Sequence, residues 1–259
     1  MKFTFTELPL GPYTTDLLAK QWPGVQLSRG VAEGRCTIEE IAGERVMAVT
    51  HQAGKVGPIE GGVSWRYYFA EPSDTYTAKY KVRVGADFDF VRGGKLPGLC
   101  GGASPGGGAD PRKTGGFSAR VMWRELGVLE SYVYHLDRAA DKHWGTDYLW
   151  LQSCNQGDIF DDWDNLHIQT PDRTYLIPDQ WHTITQTVFL DDPGHSAGRI
   201  IAWFDGKKVL DTPIHLRQDA AFTIDSFRFT TFFGGNDQTW APQKNEKVYF
   251  KDIALYAGL

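Results

Sequence analysis

Residues 75–84 (Thr-Tyr-Thr-Ala-Lys-Tyr-Lys-Val-Arg-Val) alternate side-chain character without a break. Tyr76, Ala78, Tyr80, Val82 and Val84 fall on one face, and Thr77, Lys79, Lys81 and Arg83 on the other. A period of two is the signature of a half-buried β-strand. The apolar face should meet a core. The basic face should meet solvent or a groove, and solvent is the commoner fate of a row of charges.

The same pattern recurs along the chain. Strands are expected near 2–6, 34–38, 44–50, 63–69, 116–124, 128–135, 181–190, 199–204, 207–210, 223–232 and 247–256. Ala42-Gly43 and Asp205-Gly206 read as hairpin turns, the second being a strong signal between alternating runs. One short helix is expected over 14–20, capped at Thr15 or Asp16. Residues 137–165 read as irregular. Ser104 to Pro111, with Gly106-Gly107-Gly108, reads as a long connection of the kind that is functional or mobile. Nine Trp and 29 Gly favour strands and turns over helices. No repeat or linker divides the 259 residues, a length one β-sandwich can reach. The expected fold is all-β: a single jelly-roll domain over 1–259, two packed antiparallel sheets with a concave face as the ligand groove.

Several functions are disfavoured. The net charge is −5 and no basic block stands out, so nucleic acid is not the expected partner. Charge local to a groove can still bind a polyanion. No run is long enough for a membrane helix. Residues 1–16 lack a signal-peptide pattern, so the protein is expected either to stay in the cytoplasm or to have lost its signal. Cys36, Cys100 and Cys154 are odd in number and match no metal motif; free thiols are expected. The seven histidines show no ligand spacing, and neither a nucleophile elbow nor a phosphate-binding loop is present. Asp158, Asp161, Asp162 and Asp164 fit no calcium loop; a solvated loop is expected there rather than a cation site. No strand carries the facing carboxyls of a glycosidase. Glu125 and Glu130 flank the Gly127 turn and are expected to be solvated.

Three short segments carry chemistry. Arg92 to Gly102 reads as a loop that holds a single lysine, Lys95, between glycine pairs, with Pro97 stiffening a turn beyond it. Ser118 and Arg120 stand two apart on one strand, and Tyr132 and Tyr134 on the next, so each pair shares a face. An arginine fork holds a carboxylate, a lysine adds a point charge, and a tyrosine beside cations can move a proton.

Lys95 in Gly-Gly-Lys-Leu-Pro-Gly-Leu, then Ser118-x-Arg120 and Tyr132-x-Tyr134, resembles the active-site pattern of the family-14 polysaccharide lyases, which are alginate and glucuronate lyases. The pattern is also similar to that of the glucuronan lyases of family 20. Thr231 to Gly235 and Trp240-Ala241-Pro242 continue the resemblance, which spans roughly 60–256. It implies a jelly-roll lyase that cleaves a polyuronate by β-elimination and that is secreted or periplasmic; a monomer is expected. Lys95, Ser118, Arg120, Tyr132 and Tyr134 are the candidate catalytic residues. Arg92, Lys79, Lys81, Asn236 and Trp240 are the candidate substrate-binding residues. No metal or organic cofactor is required by this scheme.

β-Elimination needs the carboxylate neutralised, the C5 proton removed and the departing O4 protonated. Arg120 and Lys95 suit the first task. Tyr134 or Tyr132 suits the proton transfers, with Lys95 as the alternative base. In β-linked mannuronate and glucuronate H5 and O4 lie on the same side of the ring, so one tyrosine can serve both steps. In guluronate they lie on opposite sides. The rival readings are a non-catalytic carbohydrate-binding jelly roll and, less favoured, a hydrolase using Glu60 or Asp237.

Overall fold

A computed structural model describes residues 1–139, 141–154 and 169–259. The acidic run at 158–164 lies outside the described residues. The chain begins with β1 (Lys2–Phe3), β2 (Gly11–Pro12), helix α1 (Thr15–Gln21), β3 (Gln26–Arg29), β4 (Cys36–Ile41) and β5 (Glu44–His51). A π turn over Gly57–Gly61 leads into β6 (Val63–Ser73), β7 (Thr75–Val84) and β8 (Gly93–Gly101). The turn α2 (Pro111–Thr114) precedes β9 (Phe117–Arg124), β10 (Leu129–Tyr134) and β11 (Thr146–Leu149). Last come β12 (His182–Phe189), β13 (Gly198–Phe204), β14 (Lys207–Ile214), β15 (Ile224–Phe233) and β16 (Glu246–Ala257).

The strands form two antiparallel sheets. Sheet A runs β14-β13-β12-β7-β16-β5-β4-β2, with β1 beside β16, and sheet B runs β11-β10-β9-β8-β15-β6-β3. The core lies between them. Tyr76, Ala78, Tyr80, Val82 and Val84 are buried there, as the alternation of β7 requires. Sheet B answers with Trp65, Val121, Trp123, Phe227, Phe229 and Phe233. Trp65 stacks on Phe229 at 4.2 Å, and Trp22, just past α1, stacks on Phe3 at 3.7 Å. Burying one such ring stabilises the fold by roughly 1.5–3 kcal/mol.

The helix is capped one residue earlier than expected. Thr14, with extended backbone, accepts the Leu17 N–H on its hydroxyl. Asp16 instead falls in the first turn, where a negative charge suits the helix dipole. The short strands β2 and β3 have too few residues to show a period, and β11 lies in the segment expected to be irregular.

The largest departure is the lysine segment. It is not a loop but β8, a central strand of sheet B that is buried throughout. Its glycines answer to packing. A Cβ on Gly94 would lie 2.1 Å from the Trp123 ring, and one on Gly98 would lie 2.0 Å from the Ala119 carbonyl oxygen. Pro97 sits where the β8–β9 register shifts between Leu96 and Gly98, a bulge that tolerates its missing N–H.

Candidate active site

The pairing of β8, β9, β10 and β15 decides which side chains meet. Lys95 pairs with Met122, and Gly98 with Arg120. Arg120 pairs with Tyr132, Ser118 with Tyr134 and Met122 with Glu130. Alternation turns Ala119, Val121, Trp123 and Val133 into the core. It turns Ser118, Arg120, Met122, Arg124, Glu130, Tyr132 and Tyr134 to the opposite face. There Met122, Tyr132, Tyr134 and Trp240 form a second apolar cluster, with Val56 against it.

Lys95, Arg120, Tyr132 and Tyr134 converge on that face. The Lys95 Nζ lies 3.2 Å from the Tyr132 ring centroid and contacts the Met122 sulfur. The Arg120 guanidinium stands 5.7 Å from the same ring centroid. The two tyrosine rings meet edge to face at 5.7 Å. The Tyr132 hydroxyl accepts the Gly145 N–H at 2.8 Å, and the Tyr134 hydroxyl accepts the Gly108 N–H at 3.2 Å. All four side chains are nearly enclosed, with 2–8% of their surface exposed.

Burial sets the electrostatics. It drives Lys95 well below the ordinary lysine range, and the Arg124 and Arg120 charges reinforce it while Glu130 and Asp147 oppose it. Burial also raises the Tyr132 hydroxyl, so it holds its proton through the neutral range. Arg124 is gripped by Glu130 at 2.6 Å and Asp147 at 2.7 Å. Glu130 is fully buried, which corrects the expectation that it is solvated: it lies two residues from Tyr132 on the same strand face. Burial pushes its carboxyl up to about 8, with Arg124 opposing and Asp147 adding to the rise. Among the described residues Arg120 has no carboxylate partner, and its buried Nε has no hydrogen-bond acceptor. The face therefore presents cation without matching anion, beside two phenols.

The remaining candidates divide. Ser118 is fully buried and donates to the Pro105 carbonyl at 2.6 Å. It shares the face with Arg120, but its hydroxyl ties down the glycine-rich segment that covers the site. Trp240 packs at the other end, with Arg92 5.0 Å above its ring; the Arg92 guanidinium also donates to Thr239 at 2.7 Å. Asn236 is exposed in the loop between them and β15. Lys79 and Lys81 do not join. They lie on the outward face of sheet A, where Lys81 pairs with Asp252 at 2.9 Å. Their alternation was read correctly, but they lie on the other sheet from Lys95, Arg120, Tyr132 and Tyr134. The sequence reading missed Met122, Arg124, Glu130, Asp147 and Gly108. For three of these, extending the i, i+2 rows of β9 and β10 was signal enough.

No curated protein sequence matches the chain. Among solved structures, alginate lyase Aly36B in complex with an alginate tetrasaccharide superposes with a TM-score of 0.81 at 20% identity, over 100% of this chain and 96% of that one. The PL-14 alginate lyase from Aplysia kurodai gives 0.75 at 20% identity, over 100% and 98%. Alginate lyase vAL-1 from Chlorella virus gives 0.71 at 23% identity, over 97% and 99%. These likenesses establish the jelly-roll sandwich fold. The sequence profile of polysaccharide lyase 14 matches residues 39–253, beginning before β5 and ending within β16. That match spans most of the chain and every residue of the cluster, so this protein is a polysaccharide lyase and belongs to the polysaccharide lyase 14 family.

Proposed function

We propose that this lyase cleaves a β-1,4-linked polyuronate by β-elimination, with the polymannuronate of alginate as the preferred substrate and glucuronan as the alternative. The observation that carries the reading is the Arg120 guanidinium, buried without a carboxylate partner among the described residues, beside Lys95, Tyr132 and Tyr134. A uronate carboxylate supplies the missing negative charge. Arg120 grips it with its fork, and Lys95 adds a point charge. Electron withdrawal at the carboxylate then acidifies the C5 proton.

Tyr134 takes that proton as phenolate, its oxygen held by the Gly108 N–H. The C5 electron pair forms the C4=C5 bond as the C4–O4 bond breaks, and Tyr134 returns the proton to O4. The phenolate is thereby regenerated. Tyr132, kept protonated by burial, packs on Lys95 and positions it. One tyrosine serving both steps requires H5 and O4 on one side of the ring, which favours mannuronate or glucuronate over guluronate. The three structural neighbours named above are alginate lyases, and this supports alginate as the first polymer to try. A monomer acting as one domain is the proposed working unit.

The test is the ultraviolet absorbance of the new C4=C5 bond with polymannuronate, polyguluronate and glucuronan offered separately. Polymannuronate should give the fastest rise. Retention of a polymer without any rise would support the binding-module reading instead.

A further inference from the structure

Arg228 lies outside every motif that the active-site pattern contains, yet the fold brings it to the same row. On β15 it pairs with Gly98 of β8, and Gly98 pairs with Arg120 of β9. Gly98 has no side chain, so none stands between the two arginines in that row. Their guanidinium groups converge below the covering segment. A Cβ on Gly106 would lie 3.4 Å from Nη2 of Arg120 and 3.4 Å from Nη1 of Arg228.

Other arginines on this face are neutralised. Arg66, the next in the row, is held by Asp225 at 2.9 Å and the Ser226 hydroxyl at 2.8 Å. Arg124 is held by Glu130 and Asp147. Among the described residues, Arg120 and Arg228 have no carboxylate within ion-pair distance. Burial, then the Arg120 charge, holds Arg228 below the usual guanidinium range. Two adjacent, poorly hydrated cations without a counter-charge work against folding. Such a pair makes sense in a site built for anions, and two positive charges are fully balanced only by two carboxylates.

We propose that Arg228 binds the carboxylate of the uronate adjoining the one whose carboxylate Arg120 holds, so that the site recognises two successive acidic sugars. This rests on the polyuronate reading above. The ligand class is an unesterified run of uronates; a neutral or esterified neighbour would leave Arg228 without its anion.

The test is Arg228→Gln, assayed on polymannuronate by double-bond absorbance, with its melting temperature recorded. A lost charge-assisted contact should raise KM by about ten- to a hundredfold and leave kcat within about threefold. The melting temperature should hold or rise, because an uncompensated charge has gone. On partly methyl-esterified polymer the wild type should lose proportionally more rate than the variant. A KM within about twofold of wild type, with equal sensitivity to esterification, would overturn the proposal. If the glutamine variant does not fold, Arg228→Met takes the same measurements with the same outcomes. Wild-type protein that yields no unsaturated product from any polyuronate would instead overturn the polyuronate reading itself, a result distinct from an unchanged KM.

Discussion

Lys95 is chemically defined by what surrounds it. Burial and two neighbouring guanidiniums drive it toward the neutral amine, against the pull of Glu130 and Asp147. A substrate carboxylate placed beside it reverses that balance and favours the ammonium. Binding of a saturated oligomannuronate at neutral pH should therefore take up protons, and affinity should weaken as pH rises through the Lys95 pKa of the complex. Titration calorimetry in two buffers of different ionisation enthalpy reads this directly; no net uptake would mean that Lys95 does not meet the carboxylate. Tyr134 allows a separate test. Tyr134→Phe keeps the ring and loses only the hydroxyl, so kcat should fall by about a hundredfold or more while KM changes little. An unchanged kcat would move the proton transfer to Lys95 or Tyr132. Arg120, Tyr132 and Tyr134 were legible in the sequence because a strand's period of two fixes which side chains share a face, and Lys95 because it stands alone among glycines. Arg228 was not, because its place beside Arg120 depends on pairing between segments more than a hundred residues apart in the chain.

β8 shows how an element can be misread while its residues are read correctly. Glycines around a lysine suggest a loop that approaches a ligand, and propensity supports that reading. The structure uses them to bring β8, β9 and β15 close enough for Trp123 to cross Gly94. The sequence contains both partners, but only the pairing register shows that they meet. Gly98→Ala tests the point. Its Cβ would meet the Ala119 carbonyl oxygen at 2.0 Å and the Arg120 Cα at 2.6 Å, both backbone atoms of the next strand. Relief requires β9 to move away, carrying Arg120 from Lys95. The variant should lose about 1–3 kcal/mol in urea denaturation and at least about tenfold in kcat. Wild-type stability would show that glycine is not demanded there. The covering segment lies within residues 104–111, which read in the sequence as functional or mobile. Its position over the site, tied by Ser118 to Pro105 and by Gly108 to Tyr134, depends on contacts no local pattern encodes.

Across the whole molecule, the two sheets close over a core that contains a titratable group, and this links stability to pH. His51, on β5 of sheet A, is fully buried between the sheets. It stacks on Trp123 at 5.8 Å and meets the edge of Phe233 at 5.3 Å, both from sheet B. One ring nitrogen lies 3.0 Å from the Thr231 hydroxyl. Burial pushes its pKa down to about 3, from 6.5 in the unfolded chain. The folded protein therefore holds His51 neutral where the unfolded chain would protonate it. Its share of stability is complete above pH 6.5 and is lost as pH falls toward 3, roughly 5 kcal/mol in all. His135, lowered to about 4, acts in the same direction, whereas Glu130, raised to about 8, acts in the opposite one between 4.5 and 8. The total slope thus mixes signs, and a difference between variants isolates His51. His51→Gln keeps a polar partner for Thr231 and removes the titration. Unfolding free energies of wild type and variant, measured by urea from pH 7 to pH 4, should differ in slope by about one proton below pH 6.5, with the wild type falling faster. Parallel curves would mean that His51 already carries its proton in the folded state, and that the junction between the sheets is wetter than its packing of Trp123 and Phe233 implies.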